Sequence, residues 1–352
     1  MSKVLHIIDS LNIGGAENIL VQSVNKLIET TSENEHFVVT AYTIGELSSK
    51  LDSRCSIRCL NLTKRNVLFK ILSLRKFIKK NQIKIIHSHL LDSTLLSRIS
   101  APHGVNIVST YHSPLYDPSQ INYSHWRLWL DKFTYKKRHF LIFVSDSVKM
   151  NICGKLDVQG RYKVISNFVS NSFCFHYKYS PKETLKIISV GNLKKVKNHI
   201  LAINAFSNLK NYPITLDIYG GGHLYETLNK VIKQSNVKVN LKGKVEISSA
   251  LLSKYDLFLM TSFYEGMPLS LIEAMKTGLP SLLPILPALK EIAENAAIYY
   301  APNNGQELSK EILNILNNKQ YLQNLSEIAI ERSKEYSIEF YLSSLKDVYK
   351  SL

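Results

Sequence analysis

The sequence predicts an α/β protein built from two successive Rossmann-like, doubly wound units. Short apolar runs alternate with longer amphipathic stretches, a pattern typical of parallel strands joined by helices. The alternation lapses in mid-chain and starts again at Leu185, and 352 residues suit two domains better than one core. We expect an N-terminal domain at 1–168, a linker at 169–181 and a C-terminal domain at 182–334, with a final helix at about 335–352 packing back on the first.

In the first half, two helices are predicted at residues 17–28 and 67–80. The second of them has its apolar residues spaced for one face. Buried strands are predicted from the apolar runs at 4–8, 37–42, 83–87, 107–110, 140–144 and 163–165.

In the second half, strands are predicted at 185–190, 215–219, 237–241, 257–261 and 281–283. Helices are predicted between them at 199–209, 224–234, 248–254 and 268–276, followed by a helical tail over 305–352. Two doubly wound units imply a cleft between them, with ligands at the carboxyl ends of the strands.

Composition excludes several classes of protein. The chain is 45% hydrophobic and 20% charged, without a low-complexity tract or an apolar run long enough for a membrane span. Its four cysteines form neither a CxxC pair nor a zinc-spaced cluster, which indicates reduced thiols and a cytoplasmic protein. The formal charge of +16, concentrated in the first half, suggests an anionic partner or a solvated basic surface.

The most informative segment runs from a predicted strand at 257–261 through Glu265 to Glu273. Pro268 suits the first position of a helix, which would leave the backbone N–H groups of Leu269, Ser270 and Leu271 free for an anion at the helix N-terminus. This predicts a diphosphate cradle in which Gly266 allows close approach and the hydroxyl of Ser270 adds a bond. Glu273 lies far enough along the helix to accept bonds from a ribose diol, and Gly278 is expected to end the helix. The residues that complete this candidate donor site are Met267 and Leu269.

Two glutamates eight residues apart resemble the E-x7-E motif of retaining glycosyltransferases of the GT-B fold, in particular family 4 (glycosyl transferases group 1). A helix N-terminus with an acidic residue nearby is the alternative interpretation. The resemblance implies transfer of a sugar from a nucleoside diphosphate donor, with the anomeric configuration retained, and we expect the donor to be a UDP-sugar. Glu265 would then orient the donor sugar.

Other segments carry the same resemblance. Residues 189–198 are similar to a basic family loop in which Lys197 would offset the charge of the departing diphosphate; a solvated lysine is the alternative. Asn192 replaces the usual arginine, whose place Lys194 or Lys195 could take. The glycine turn at Gly220 and Gly222 resembles the turn against which the nucleotide base packs; a tight turn without ligand contact is the alternative.

In the first half, Gly15 belongs to a Gly-Gly-x-Glu loop that resembles the family segment bordering donor and acceptor. His112 follows a predicted strand and matches the family histidine that binds the transferred sugar. His87 and His89 also follow a strand end, and for these two a structural role is the better interpretation. The predicted catalytic residues are Glu265, His112 and Lys197.

The chain has no D-x-D pair, so we expect no metal and no cofactor beyond the nucleotide-sugar co-substrate. The resemblance implies a saccharide or polyprenyl-diphosphate-linked acceptor in bacterial surface polysaccharide assembly (O-antigen, capsule or lipopolysaccharide). Basic, aromatic-rich stretches at 68–84 and 123–140 suit an anionic membrane surface, with peripheral attachment to the inner face of the cell membrane. Their apolar sides can equally face the core.

Two other functions remain as alternatives. A GT-B nucleotide-sugar epimerase would share the architecture and act on the donor without an acceptor. A basic nucleic-acid-binding protein would fit the charge, but the sequence contains no recognisable nucleic-acid-binding module, and we expect no nucleic-acid partner.

Overall fold

A computed structural model of the chain describes residues 3–30, 35–116, 124–174, 184–318 and 320–352. The chain forms two compact units, Met1–Asn167 with Ile338–Leu352, and Phe168–Ser337. Tyr123 of the basic stretch and residues 175–181 of the expected linker lie outside the described residues.

The first unit is a seven-stranded parallel sheet in the order β3-β2-β1-β4-β5-β6-β7. Its strands are β1 (Lys3–Ser10), β2 (Glu35–Thr43), β3 (Ser56–Cys59), β4 (Ile85–His89), β5 (Asn106–Tyr111), β6 (Phe140–Phe143) and β7 (Tyr162–Val164). Its first five helices are α1 (Gly15–Thr30), α2 (Val67–Lys80), α3 (Leu91–Ser100), α4 (His125–Thr134) and α5 (Asp146–Leu156).

The core of this unit lies on both faces of the sheet, which is why its strands have almost no polar alternation. In β1, Leu5 and Ile7 pack with Leu74 and Ile78 of α2, whereas Ile8 packs with residues of α1. The carboxyl ends of the strands are therefore where polar side chains can reach a ligand.

Helix α4 packs in an unusual way. Asp131 is its one fully buried residue, while Trp126, Trp129 and Phe133 are 63%, 60% and 72% exposed. The carboxylate of Asp131 is paired with the buried guanidinium of Arg98 on α3 and accepts the hydroxyls of Tyr111 and Tyr116. A buried ion pair thus holds the helix, and its aromatic side points outward.

The second unit is a six-stranded parallel sheet in the order β10-β9-β8-β11-β12-β13. Its strands are β8 (Leu185–Val190), β9 (Ile214–Tyr219), β10 (Val239–Gly243), β11 (Leu257–Leu259), β12 (Ser281–Pro284) and β13 (Ala297–Tyr300). Its helices are α6 (His199–Phe206), α7 (Tyr225–Ser235), α8 (Ser249–Leu252), α9 (Leu269–Lys276), α10 (Pro287–Ala293), α11 (Gly305–Asn317) and α12 (Gln320–Ser333).

Each sheet begins with a central strand, β1 or β8, from which the chain winds first to one side and then to the other. The order reverses between β1 and β4 and between β8 and β11, which are the topological switch points of the two units. The predicted α/β fold of two Rossmann-like units is confirmed.

The chain returns to the first unit through its last helix, α13 (Ile338–Lys350). This helix buries Tyr341, Leu342, Leu345 and Val348. At the other crossing, Phe168 and Val169 are buried in the second unit, where Lys276 donates to the carbonyl of Val169 at 2.9 Å. Within the described ranges, every helix is too short or too polar to span a lipid bilayer.

A glycine turn after β9 fixes the loop that follows β8. A Cβ atom on Gly220 would lie 1.9 Å from the carbonyl oxygen of Gly191, and one on Gly222 would lie 2.5 Å from that of Leu193. The amide of Leu193 donates to the carbonyl of Gly221 at 2.9 Å. The glycines are therefore needed for close contact between two backbone segments.

We predict that Gly220→Ala lowers the free energy of unfolding of the second unit by about 1–3 kcal/mol, because the added methyl group forces the two segments apart. Gly221→Ala is the matched control, since its Cβ would meet no atom closer than 3.7 Å. Differential scanning calorimetry of both variants measures the effect. Equal transitions for the two would contradict the steric requirement.

Candidate active site

The candidate donor site begins where β11 ends and the chain enters α9. We expected Pro268 at the first position of the helix. Instead it precedes the helix, because its ψ of 118° is extended. The carbonyl of Pro268 accepts a hydrogen bond from the amide of Leu271 at 3.2 Å. Contrary to the prediction, this amide is therefore not available for a ligand. The amides of Leu269 and Ser270 have no partner among the described residues, which leaves two donors at the helix N-terminus.

The other end of this helix agrees with the sequence. Gly278 has a φ of 76°, and its amide donates to the carbonyl of Met275 at 3.0 Å. This is the left-handed glycine that commonly ends a helix. At the N-terminal end, Gly266, Met267 and Pro268 are all buried, so the loop before the helix is packed in place.

Lys197 and Glu265 form a direct ion pair that sequence reasoning did not foresee. The ammonium nitrogen of Lys197 lies 2.6 Å from Oε1 of Glu265, and the two side chains are 20% and 10% exposed. Ser262 donates its hydroxyl to the same oxygen at 2.6 Å. Oε2 of Glu265 receives no hydrogen bond from a described residue, so one carboxylate oxygen is anchored and the other can bind a ligand.

Backbone contacts hold this pair in place. Thr261 donates its hydroxyl to the carbonyl of Lys197 at 2.9 Å, and the amide of Phe263 donates to the carbonyl of Val196 at 2.9 Å. The aliphatic part of the Lys197 side chain also lies against Gly191. A Cβ atom added to Gly191 would be 3.3 Å from Cε of Lys197. The loops after β8 and β11, the two switch-point strands, are thereby joined.

Sequence reasoning assigned no role to Ser262. The sequence feature that could have revealed this contact is the spacing Ser-x-x-Glu, since a hydroxyl three residues before a carboxylate can reach it within one loop. Asn192 lies on the same loop as Lys197, is exposed, and makes no side-chain hydrogen bond to a described residue. Lys194 and Lys195 are likewise exposed.

Glu273 lies in the second turn of α9 and is half-buried. Its carboxylate has no hydrogen-bond partner among the described residues. Desolvation by burial raises the pKa of Glu273 to about 7. The group is thus close to half ionised at neutral pH.

The remaining predicted residues, Gly15 and His112, belong to the first unit. Gly15 is exposed at the start of α1, and a Cβ on the neighbouring Gly14 would clash with the carboxylate of Glu17. His112 follows β5, is half-buried, and has its Nε2 atom 3.1 Å from Nδ1 of His89. Both residues therefore lie at the carboxyl edge of the first sheet.

A row of buried imidazoles crosses this sheet beside His112. His6, His87 and His89 each offer a ring nitrogen within 4.8 Å of the others, a spacing at which a metal ion can be considered. Both nitrogens of His87, however, already bond hydroxyls at 2.7 Å, those of Tyr349 and Thr110. We therefore interpret the row as a hydrogen-bonded structure.

Two family models match the chain. "Glycosyltransferase Family 4" matches residues 13–173, and "Glycosyl transferases group 1" matches residues 176–332. The chain also resembles solved structures throughout its length: an Anabaena protein, Alr3699/HepE, solved with UDP and glucose, is 16% identical with a TM-score of 0.85 and full coverage of both chains. The GT-B fold expected from the sequence is confirmed.

Curated relatives of the chain include bacterial glycosyltransferases. An α-1,4-N-acetyl-D-galactosaminyltransferase of Campylobacter jejuni, named for an undecaprenol-diphosphate-linked substrate, is 29% identical over 78% of this chain and 77% of its own. The capsular polysaccharide biosynthesis glycosyltransferase CapH of Staphylococcus aureus is 27% identical over 78% of this chain and 79% of its own. Together with the fold and the two family models, these matches show that the chain is a glycosyltransferase with a family 4 N-terminal domain and a group 1 C-terminal domain.

Proposed function

We propose that this glycosyltransferase moves a sugar from a UDP-sugar to a saccharide or polyprenyl-diphosphate-linked acceptor, with retention of configuration, in bacterial surface polysaccharide assembly. The observation that carries the proposal is the contact between Lys197 and Glu265 in the same unit as the open amides of α9. The relatives named for capsular polysaccharide biosynthesis and for a lipid-linked substrate support the acceptor class. Neither the family models nor these relatives favour an epimerase.

The ion pair suits a site where a diphosphate departs. An ammonium group has three N–H donors, and that of Lys197 gives one of them to Glu265. The others can bind phosphate oxygens, together with the amides of Leu269 and Ser270 at the positive end of the helix dipole. This arrangement offsets the charge that develops on the leaving group without calling on a metal ion.

Glu265 suits the sugar side of the same donor. Its Oε1 atom is fixed by Lys197 and Ser262, and its Oε2 atom is left to accept a sugar hydroxyl. A carboxylate held in this way orients the anomeric carbon while the departing phosphate helps to deprotonate the acceptor hydroxyl, in a front-face displacement. Glu273 would accept the ribose hydroxyls, and His112 would bind the transferred sugar.

We predict that Lys197→Ala and Glu265→Gln each lower kcat for sugar transfer by about 10²–10³-fold, because each removes charge placed at the reacting groups. Only Lys197→Ala should also weaken UDP binding in isothermal titration calorimetry. The control for loss of positive charge is Lys186→Ala, which removes an exposed lysine at the far end of β8. In a separate test of the metal-free mechanism, transfer by the wild-type protein should persist in EDTA. Near-normal turnover of either site variant would refute the assignment.

We predict that UDP affinity increases by about tenfold between pH 6 and pH 8. The raised pKa of Glu273, about 7, means that its proton must leave before the carboxylate can accept two ribose bonds. Glu273→Gln keeps the shape of the side chain but does not titrate. The pH dependence of its UDP affinity therefore measures the part that comes from protonation of the phosphate groups of UDP. Parallel profiles for wild type and Glu273→Gln would exclude this role for Glu273.

A lipid-linked acceptor requires access to a membrane, and the first unit presents a suitable surface. We define the aromatic face as the exposed apolar residues of α2 and α4, namely Leu68, Phe69, Leu72, Trp126, Trp129 and Phe133, which are 59–75% exposed. Both helices pack against α3. Exposed basic residues on or next to these helices include Arg75, Lys76, Lys79, Lys80, Lys132 and Lys136 to Arg138. Aromatic residues bordered by lysine and arginine suit an anionic bilayer interface.

We predict that the protein floats with liposomes that contain anionic phospholipid and that Trp129→Ser with Phe133→Ser abolishes flotation. The two rings stack with centroids 5.3 Å apart, so the pair removes the centre of the exposed stripe. Phe340→Ser, on α13, removes an equally exposed aromatic residue elsewhere in the same unit and should have no effect. Flotation that is unchanged by the double substitution would show that another surface binds the lipid.

A further inference from the structure

Polar side chains from four elements of the first unit meet at the carboxyl edge of its sheet. Asp9 lies near the end of β1, Tyr42 near the end of β2, Asp92 and Ser93 in the first turn of α3, and Arg127 in the first turn of α4. Helix α3 directly follows β4, so the group lies beside the switch point between β1 and β4. Ligands bind doubly wound sheets at this position. We call these five residues the Asp9 cluster.

Asp9 is anchored through one of its two carboxylate oxygens. Its Oδ1 atom accepts hydrogen bonds from the backbone amide of Ser93 at 3.0 Å and from the hydroxyl of Ser93 at 2.6 Å. Its Oδ2 atom receives no hydrogen bond from a described residue. One oxygen therefore fixes the side chain, and the other is left to accept a bond from a ligand.

The second acidic residue of the cluster, Asp92, is already paired at both oxygens. Its Oδ1 atom forms an ion pair with the guanidinium of Arg127, and its Oδ2 atom accepts the hydroxyl of Tyr42 at 2.9 Å. Arg127 uses only its Nη2 atom for this pair, and its Nη1 atom donates to no described residue. Asp92 thus holds a guanidinium in place that still has hydrogen-bond donors to offer.

The Asp9 cluster is accessible from solvent. The side chains of Arg127 and Asp92 are 34% and 31% exposed, and Tyr42 is 39% exposed. Asp9 is half-buried, and only Ser93, which anchors it, is fully buried. A small molecule can therefore reach the cluster without a rearrangement of the core.

Capping of α3 does not by itself explain a carboxylate at position 9. Leu90, which precedes α3, provides no side-chain cap, and Asp9 supplies one from β1. Asparagine would serve this purpose equally well, because its amide oxygen can accept the same two bonds. Burial raises the pKa of Asp9 to about 6, although its bonds to Ser93 and the charge of Arg127 act in the opposite direction. The ionised form therefore predominates at pH 7 but is costly, and a donor from a ligand would relieve this cost.

The charges of the cluster favour an uncharged ligand with hydroxyl groups. Asp92 and Arg127 neutralise each other, so Asp9 leaves a net negative charge that repels a phosphate group. A metal ion would need more free carboxylate oxygens than the one at Asp9. A sugar, in contrast, has neighbouring hydroxyls that can donate to Oδ2 of Asp9 and accept from Nη1 of Arg127. The exposed ring of Tyr42 offers an apolar surface for the C–H groups of such a ligand.

We propose that the Asp9 cluster binds the acceptor saccharide, with one sugar hydroxyl donating to Oδ2 of Asp9 and another accepting from Nη1 of Arg127. That the bound saccharide is the acceptor rests on the proposed function. The binding of sugar hydroxyls is a property of the first unit, which supplies every residue of the cluster.

The test is saturation-transfer difference NMR of the full chain without a nucleotide donor. The probes are the methyl glycosides of glucose, galactose, mannose, N-acetylglucosamine and N-acetylgalactosamine. We expect the wild-type protein to bind at least one of them and Asp9→Asn to bind it about tenfold more weakly, the equivalent of one hydrogen bond. Absence of binding by the wild-type protein, or equal binding by Asp9→Asn, overturns the proposal.

Asp9→Asn separates ligand binding from folding. Its amide oxygen can still accept both bonds from Ser93, whereas its amide nitrogen replaces the free acceptor by a donor, so the thermal unfolding midpoint should change little. Arg127→Lys is the second variant, because it keeps the ion pair with Asp92 but lacks the second terminal nitrogen, and it should also weaken sugar binding. Unchanged binding in Arg127→Lys would contradict the assignment of Nη1.

Asp157→Asn is the matched control for loss of a carboxylate. Asp157 is exposed and follows the last residue of α5, at the opposite edge of the sheet. This variant should bind the probes as the wild-type protein does. A loss of binding equal to that of Asp9→Asn would show a general effect of charge and would overturn the site.

Sugar transfer gives the second readout, with the glycoside that binds as the acceptor. We expect Asp9→Asn to raise KM for the acceptor about tenfold and to leave KM for the donor and the affinity for UDP unchanged. An unchanged KM for the acceptor would overturn the assignment. If the wild-type protein transfers no sugar from any nucleotide donor, the proposed function fails, whereas the NMR result still decides whether the Asp9 cluster binds sugars.

Discussion

Burial of a parallel sheet on both faces restricts where its polar side chains can act. In each unit of this protein the central strands are covered by helices, and a polar group inside must find a partner within the fold. The carboxyl ends of the strands escape this constraint because their loops reach solvent. Glu265, Lys197 and His112 all follow strand ends, each within a few residues of β11, β8 or β5.

The pair of Lys197 and Glu265 illustrates how a charged site is kept ready in such a place. Two opposite charges that are mostly removed from water stabilise one another, and either alone would be costly there. Ser262 completes the coordination of one carboxylate oxygen, and two backbone bonds hold the loops together. Under the proposed function, the atoms that bind the donor are thus fixed before it arrives, which reduces the entropy lost on binding.

Buried polar groups elsewhere in the first unit solve the same problem in different ways. Asp131 and Arg98 neutralise each other and turn the aromatic side of α4 outward. The histidines remain neutral and bond to one another or to hydroxyls. In both arrangements the partner of each polar side chain is set by the tertiary structure, because a helical or strand pattern in the sequence does not assign it one.

The sequence by itself determined the α/β class, the two units and the strand-loop-helix segment around Glu265, because strand periodicity, glycine and proline act over a few residues. Gly278 could be assigned as a helix end for the same reason. The tertiary structure decided which side chains meet. Glu265 is 68 residues from Lys197 and His89 is 23 from His112, and no local pattern encodes such distances. It also decided which side of α4 faces outward, since the buried carboxylate of Asp131 fixes an orientation that hydrophobic periodicity leaves open.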